Sequence, residues 1–182
     1  MKRCFWVNMD NPLYVDYHDN EWGVPKYDDQ ELYELLILEM FQAGLSWETI
    51  LNKRDNFRKA FDNFDWSKIV NYDEDKINEL MQDKGIIRNR RKIEAAISNT
   101  KIFMDIQKEY SSFAKYIWSF TNNQVIITDS KVVSNELSDI ISKELRKRGM
   151  KFVGTVIVYS YLQAIGVINS HEPVCFKGVG NG

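Results

Sequence analysis

Apolar residues along this chain recur mostly at helical spacing, with one stretch that exceeds it. After a helix start at Asp28, with Glu31 three residues on as in a capping box, Leu32, Leu35, Leu36, Ile37, Leu38, Met40 and Phe41 cover almost the whole circumference of the predicted helix. Such a helix belongs in the interior. Gly44 ends it and Ser46 is placed to cap the next, so Gln42 to Trp47 reads as a tight, partly exposed turn. A second helix is expected from Ser46 to about Phe61, with Ile50, Leu51, Phe57 and Phe61 inward. Asp65 or Ser67 can cap a short helix reaching Val70, and Asp73 another reaching Met81. A long helix runs from about Asn89 to Glu109 with Ile93, Ala96, Ile97 and Ile102 inward, and Ser111 or Ser112 caps a short one ending near Phe120. Asn122 to Ser134 reads as a loop in which Val125-Ile126-Ile127 makes no more than a ribbon. Ser134 is expected to cap a helix carrying Leu137, Ile140, Ile141 and Leu145, closed by Gly149, and an apolar helix from Val153 to Ile165 ends at Gly166. Residues 3–27, broken by Pro12, Gly23 and Pro25, predict short turns and loops. The whole reads as an all-α, compact helical domain without internal repeats.

At 182 residues, 44% of them hydrophobic and 13% aromatic, the chain suits one compact domain with an ample core. No apolar run reaches membrane-spanning length, and the first residues show no signal-peptide pattern, so a cytoplasmic protein with no membrane partner is expected. The formal charge of -2 gives no whole-molecule attraction to nucleic acid, but it is unevenly placed. Lys84, Arg88, Arg90, Arg91 and Lys92 form one basic cluster, and Lys143, Arg146, Lys147, Arg148 and Lys151 another. Such runs are often solvated helix faces; they permit a phosphate-binding surface without establishing one.

Three features bring in chemistry. Glu39 interrupts the apolar run; buried there, it would raise its own pKa or leave a charge costing on the order of several kcal/mol, unless a partner or pocket meets it. The competing placement is at the wet edge of the helix. Trp6, Tyr14, Tyr17, Trp22 and Tyr27 crowd the N-terminal loops, either packing them onto the core or forming flat walls for a planar ligand. Gly85 separates two helical patterns with basic residues directly after it, a helix-hairpin-helix candidate over about residues 75–105. Backbone N–H groups of such a hairpin can hold a phosphate without reading sequence, although many helical hairpins use one Gly for no such purpose.

The two Cys and two His fall in pairs, Cys4 with His18 and His171 with Cys175. Two thiolates and two imidazoles make a closed, structural Zn²⁺ set, which would tie the segment 1–27 to the segment 167–182. A free Cys pair with two unrelated His is the other reading, and a Cys4–Cys175 disulfide does not suit a reducing compartment.

In order along the chain stand Arg3-Cys4 with Trp6, Pro12-Leu13-Tyr14, the run from Tyr17-His18-Asp19 to Trp22-Gly23-Val24-Pro25, Glu39 with Gln42-Ala43-Gly44-Leu45-Ser46-Trp47, and Gly85-Ile86-Ile87-Arg88. Trp118-Ser119-Phe120, Lys147-Arg148-Gly149 with Lys151-Phe152-Val153-Gly154-Thr155, and His171 with Cys175 follow. From about Arg3 to Cys175 this series resembles the type I DNA-3-methyladenine glycosylases, bacterial enzymes of the helix-hairpin-helix glycosylase superfamily. The resemblance implies a single glycosylase domain over residues 1–182 that flips 3-methyladenine out of double-stranded alkylated DNA and excises it by hydrolysis, giving free base and an abasic site; a monomer is expected. It also implies structural zinc on Cys4, His18, His171 and Cys175.

By the same resemblance, Glu39 recognises the edge of the flipped adenine and is the carboxylate of the catalytic site. Trp47 stacks on the base, and Trp6, Tyr14, Tyr17 and Trp22 complete an aromatic pocket suited to an electron-poor ring. Leu45, with Gly44, looks like the wedge that fills the gap in the duplex, Gln42 is a further DNA-binding residue, and Gly85 and Arg88 would hold the DNA backbone. The hairpin departs from the glycine-rich form with a following catalytic Asp found in many relatives, so no general base is named; nothing in the context of Asp105 or Asp139 recommends either. The alternative is a non-catalytic protein that binds alkylated DNA with the same pocket and flags the lesion.

Overall fold

Asn11 and Pro12 start the first helix, α1 (Pro12–Asp16): the Asn11 side chain accepts from the Leu13 amide, and Pro at the first position loses no helical bond. The structure, a computed structural model, describes residues 1–178, so the last four residues of the predicted segment 167–182 lie outside the described residues. A π-helical turn, Tyr17–Glu21, follows α1 directly, closed by the Trp22 amide on the Tyr17 carbonyl at 2.8 Å. The N-terminal region is therefore more ordered than the expected turns and loops. Breakers at Pro12 and Gly23 bound this unit rather than dissolving it.

Asp28 caps α2 (Asp29–Gln42), accepting from the amides of Gln30 and Glu31. Its apolar circumference is explained by its neighbours: α3, α7, α8 and α10 all pack against it. Asp29 and Glu34 are half-buried and engaged, Asp29 with the amides of Phe113 and Ala114 and Glu34 with Arg54 and Arg58. The expected helix from Ser46 to Phe61 is two helices, α3 (Trp47–Asn52), capped by Ser46, and α4 (Arg54–Ala60). The break at Lys53 (φ -101°, ψ -1°) lets Arg54 reach Glu21 at 2.7 Å and Glu34 at 2.6 Å, a gain that no apolar periodicity reports.

Asp65 caps α5 (Trp66–Ile69) and Asp73 caps α6 (Glu74–Gln82). Seven residues on, Asn89 caps α7 (Arg90–Tyr110), which packs on α6 as a helical hairpin. Ile93 and Ala96 are fully buried, whereas the expected inward residues Ile97 and Ile102 are half-buried; the inner stripe runs instead through Thr100, Phe103 and Ile106. Ser112 caps α8 (Phe113–Ser119), and Ser111 ends α7 in the left-handed region. The cap of α9 (Glu136–Lys147) is Asn135, one residue beyond the expected Ser134, because Asn135 and Ser138 form a reciprocal capping box. The last helix is α10 (Thr155–Ala164). Residues of the short predicted ribbon form β1 (Ile126–Ile127), paired in parallel with β2 (Ile168–Asn169). No helix among the described residues is long and apolar enough to cross a membrane.

At Gly166 the backbone has φ +76°, and a Cβ there would lie 2.3 Å from the Pro25 N and Val24 C backbone atoms. Gly166→Ala is therefore expected to destabilise the fold by about 3 kcal/mol, lowering the melting temperature by roughly 6–12 °C; an unchanged melting curve would remove the close approach as a requirement.

Candidate active site and metal centre

Glu39 lies on the last turns of α2, away from the polar stripe that carries Glu31 and Glu34, and is 1% exposed. The wet-edge placement is thus excluded. Burial pushes its carboxyl up to about 8, the neighbouring Ser160 hydroxyl opposing the shift, and its Oε2 is buried without a hydrogen-bond partner. It lines a cavity of about 380 Å³, within the range of small-molecule sites.

Distant parts of the chain build this cavity as three walls. Trp6, Tyr14, Tyr17 and Trp22 come from the N-terminal unit, where Trp6 meets Tyr14 at 5.1 Å and Trp22 edge-on at 4.9 Å between ring centroids. Gln42, Gly44, Leu45 and Trp47 come from the α2–α3 turn, with Trp47 5.3 Å from Tyr17 and its indole N–H buried and unpartnered. Gly44 has φ +79° with open space around it, which projects Leu45 to 41% exposure. Burial and the nearby Glu48 and Glu39 raise the Tyr14 hydroxyl to about 12, and burial with Glu39 holds the Tyr17 hydroxyl well above its ordinary value. Both phenols therefore stay protonated donors at neutral pH. Of the expected aromatics, Tyr27 alone turns away, stacking on Trp118 at 4.8 Å.

The third wall was not anticipated. Val156, Ile157, Ser160 and Gln163 of α10 line the cavity, as do Ser130, Val132 and Val133 of the loop after β1. Ser160 and Gln163 are polar positions one turn apart in an otherwise apolar helix, the sequence signal that could have marked them. Ser160 donates toward Gln42 Oε1 at 3.5 Å.

Gly85 and Arg88 do not line the cavity; they sit on the α6–α7 connection. A Cβ on Gly85 would lie 3.0 Å from Asn56 Cβ, so glycine serves close approach here, and its amide donates to Asp83 Oδ1 at 2.7 Å. Arg88, Lys84 and Arg91 are exposed. The expected basic cluster is otherwise broken up: Arg90 pairs with Glu74 and Glu94, and Lys92 is buried. In the second cluster Arg148 pairs with Glu109 at 2.7 Å.

The π-helical turn sends Tyr17 into the cavity and its neighbour His18 into a second cluster. Donor atoms of Cys4, His18 and Cys175 lie within 4.8 Å of one another, a set capable of coordinating a metal ion, and His18 Nε2 is 3.4 Å from Cys175 Sγ. His171 stands next to it, 5.3 Å from His18 between ring centroids, with Nε2 buried and unpartnered. Each imidazole is oriented through its other nitrogen, His18 Nδ1 on Asp19 Oδ1 and His171 Nδ1 on Asn169 Oδ1, both at 2.8 Å. Arg3 holds Asp19 at 2.7 Å and brings its carboxyl down to about 2. Desolvation pushes the Cys4 thiol up to about 12 and the His171 imidazole down to about 4. Two buried thiols facing orphaned imidazole nitrogen fit a thiophilic cation.

Residues 6–178 match the methyladenine glycosylase family. DNA-3-methyladenine glycosylase 1 of Escherichia coli (strain K12) is 46% identical, the alignment spanning 100% of this chain and 99% of that protein. A crystal structure of 3-methyladenine DNA glycosylase I superposes with a TM-score of 0.93 at 46% identity, over 97% of this chain and 100% of that one. The Staphylococcus aureus enzyme, solved to show the structural basis of 3-methyladenine recognition, gives 0.91 at 34% identity, over 96% and 95% of the two chains. With its buried carboxylate, aromatic cavity and terminal Cys/His cluster, the chain belongs to the methyladenine glycosylase family.

Proposed function

We propose that this chain is a monofunctional DNA glycosylase, one domain acting as a monomer, that extrudes 3-methyladenine from alkylated duplex DNA and hydrolyses its N-glycosyl bond. The observation that carries it is Glu39, a buried carboxyl with an unpartnered oxygen lining an aromatic cavity. A purine alkylated at N3 is cationic while attached to its sugar. Aromatic faces attract such a ring, and a carboxylate accepts a hydrogen bond from its exocyclic amine while complementing the charge. Departure of the base takes the bonding electron pair with it and cancels its charge, as water oxygen adds to the sugar carbon and gives up a proton to solvent. Little acid catalysis is required, and Glu39 serves recognition and electrostatics.

Exposed Leu45, on the open turn at Gly44 with Gln42 behind it, is the wedge that occupies the emptied stack. The α6–α7 connection is the helix-hairpin-helix element, holding the backbone through Arg88 with Gly85 permitting the turn. Cys4, Cys175 and the Nε2 atoms of His18 and His171 would hold Zn²⁺ as a closed structural site, which supplies no chemistry and fixes the N-terminal wall of the cavity. A zinc site on two cysteines, in place of a disulfide between them, suits a cytoplasmic, reducing setting.

Chromatography of bases released from methylated duplex DNA tests the proposal. Free 3-methyladenine should appear while 7-methylguanine stays on the DNA. Tight binding to that DNA without release would leave a lesion-binding protein instead.

A further inference from the structure

The hydrolysis above leaves two buried lysines unused, Lys26, held by the carbonyls of Glu21, Val24 and Ala164, and Lys92, which alone of the two touches the turn carrying Leu45. Lys92 is 5% exposed, and its Nζ donates to the carbonyls of Phe41 at 2.7 Å and Ala43 at 2.6 Å; among the described residues no carboxylate meets it. Taking an ammonium out of water costs several kcal/mol, roughly, so its acceptors must repay that cost. They are carbonyls that the end of α2 leaves without helical partners, and the last turn of α2 carries no basic residue of its own. The cation comes instead from the first turn of α7, where the Lys92 amide is itself held by the Asn89 cap at 3.2 Å.

One residue thus fastens the start of the helix that follows Gly85 to the end of the helix that precedes Gly44 and Leu45. Ordinary capping would not need this: the turn already closes locally, with the Leu45 amide on the Gln42 carbonyl at 2.6 Å. What Lys92 adds is registration between two separate surfaces. We propose that Lys92 is a positioning residue, setting the Leu45 turn relative to the α6–α7 hairpin so that the wedge enters the duplex where the hairpin grips its backbone. This rests on the glycosylase function proposed above.

A double-mutant cycle tests it on the metal-replete, full-length chain, by single-turnover base release from methylated duplex and methylated single strands. Lys92→Met should slow release from duplex at least tenfold, yet change release from single strands, which need no wedge, by less than about twofold. In a Leu45→Ala background the same substitution should cost less than about twofold on duplex, because the residue through which it acts is already gone. Additive losses, equal losses on both substrates, or an unchanged duplex rate would overturn the role of Lys92 while leaving the glycosylase intact. Failure of the unsubstituted protein to release base from either substrate would overturn both. Should Lys92→Met not fold, Lys92→Gln, which keeps an amide donor, carries the same cycle and the same outcomes.

Discussion

Glu39→Gln is expected to weaken binding of free 3-methyladenine and to lower kcat/KM on methylated duplex together, each by about 10- to 150-fold. That range corresponds to about 1.5–3 kcal/mol for a buried hydrogen bond to a charged group. Gln keeps the shape of the side chain but lacks the charge that strengthens the hydrogen bond from the exocyclic amine of the base and, on the nucleotide, complements the cationic ring. Calorimetry with the free base and steady-state base release check the two quantities on one preparation. Turnover lost with base binding intact would move Glu39 from recognition to chemistry.

The same substitution has a pH signature. With the carboxyl raised to about 8, empty protein holds this proton at neutral pH, and a cationic nucleotide must displace it. Apparent kcat/KM should therefore rise with pH, by up to about tenfold per unit below about pH 8, then level off, and Glu39→Gln should lack the rise. Stability runs the other way. A carboxyl whose folded value lies above its ordinary 4.5 favours the folded state at low pH and loses that contribution as pH rises through about 8. Glu39→Gln should accordingly melt above the unsubstituted protein at pH 8–9, by an amount that shrinks toward pH 5.

Cys4→Ser is expected to leave purified protein without stoichiometric zinc and to reduce its unfolding free energy by several kcal/mol, on the order of half the stability of a small domain. Metal analysis and melting with and without a chelator are the measurements. The loss should reach the cavity, since Trp6 lies 5.3 Å from His18 and Trp22 4.5 Å from His171 between ring centroids. Affinity for free 3-methyladenine should fall in the same preparation. Unchanged zinc content in Cys4→Ser would remove Cys4 from the ligand set.

Much of this was legible in the sequence because it depends on local signals. Asp28, Ser46, Asp73 and Ser112 cap helices as their positions predict, and the apolar circumference of α2 correctly placed it inside. The hidden parts depend on what meets them in space. Periodicity could not choose between burial and the wet edge for Glu39, because the deciding fact is the cavity wall supplied by α10 more than a hundred residues later. Lys92 read as part of a basic surface since its two acceptors are backbone carbonyls, which every sequence contains. The π-helical turn that parts Tyr17 from His18 has no compositional mark; only the need to face two sites at once accounts for it.

The cavity also has a birth order. Its N-terminal aromatics and α2 leave the ribosome first, but Ser160 and Gln163, and then His171 and Cys175, arrive some 120 to 160 residues later. Until then α2, apolar on nearly all sides, lacks the cover of α10, including the Tyr161 hydroxyl bond to the Leu32 carbonyl at 2.8 Å. Contacts of such long range form slowly and leave nascent chains open to aggregation. Slow translation of the final third would therefore reduce the yield of soluble protein without altering a single equilibrium property of the molecules that finish folding.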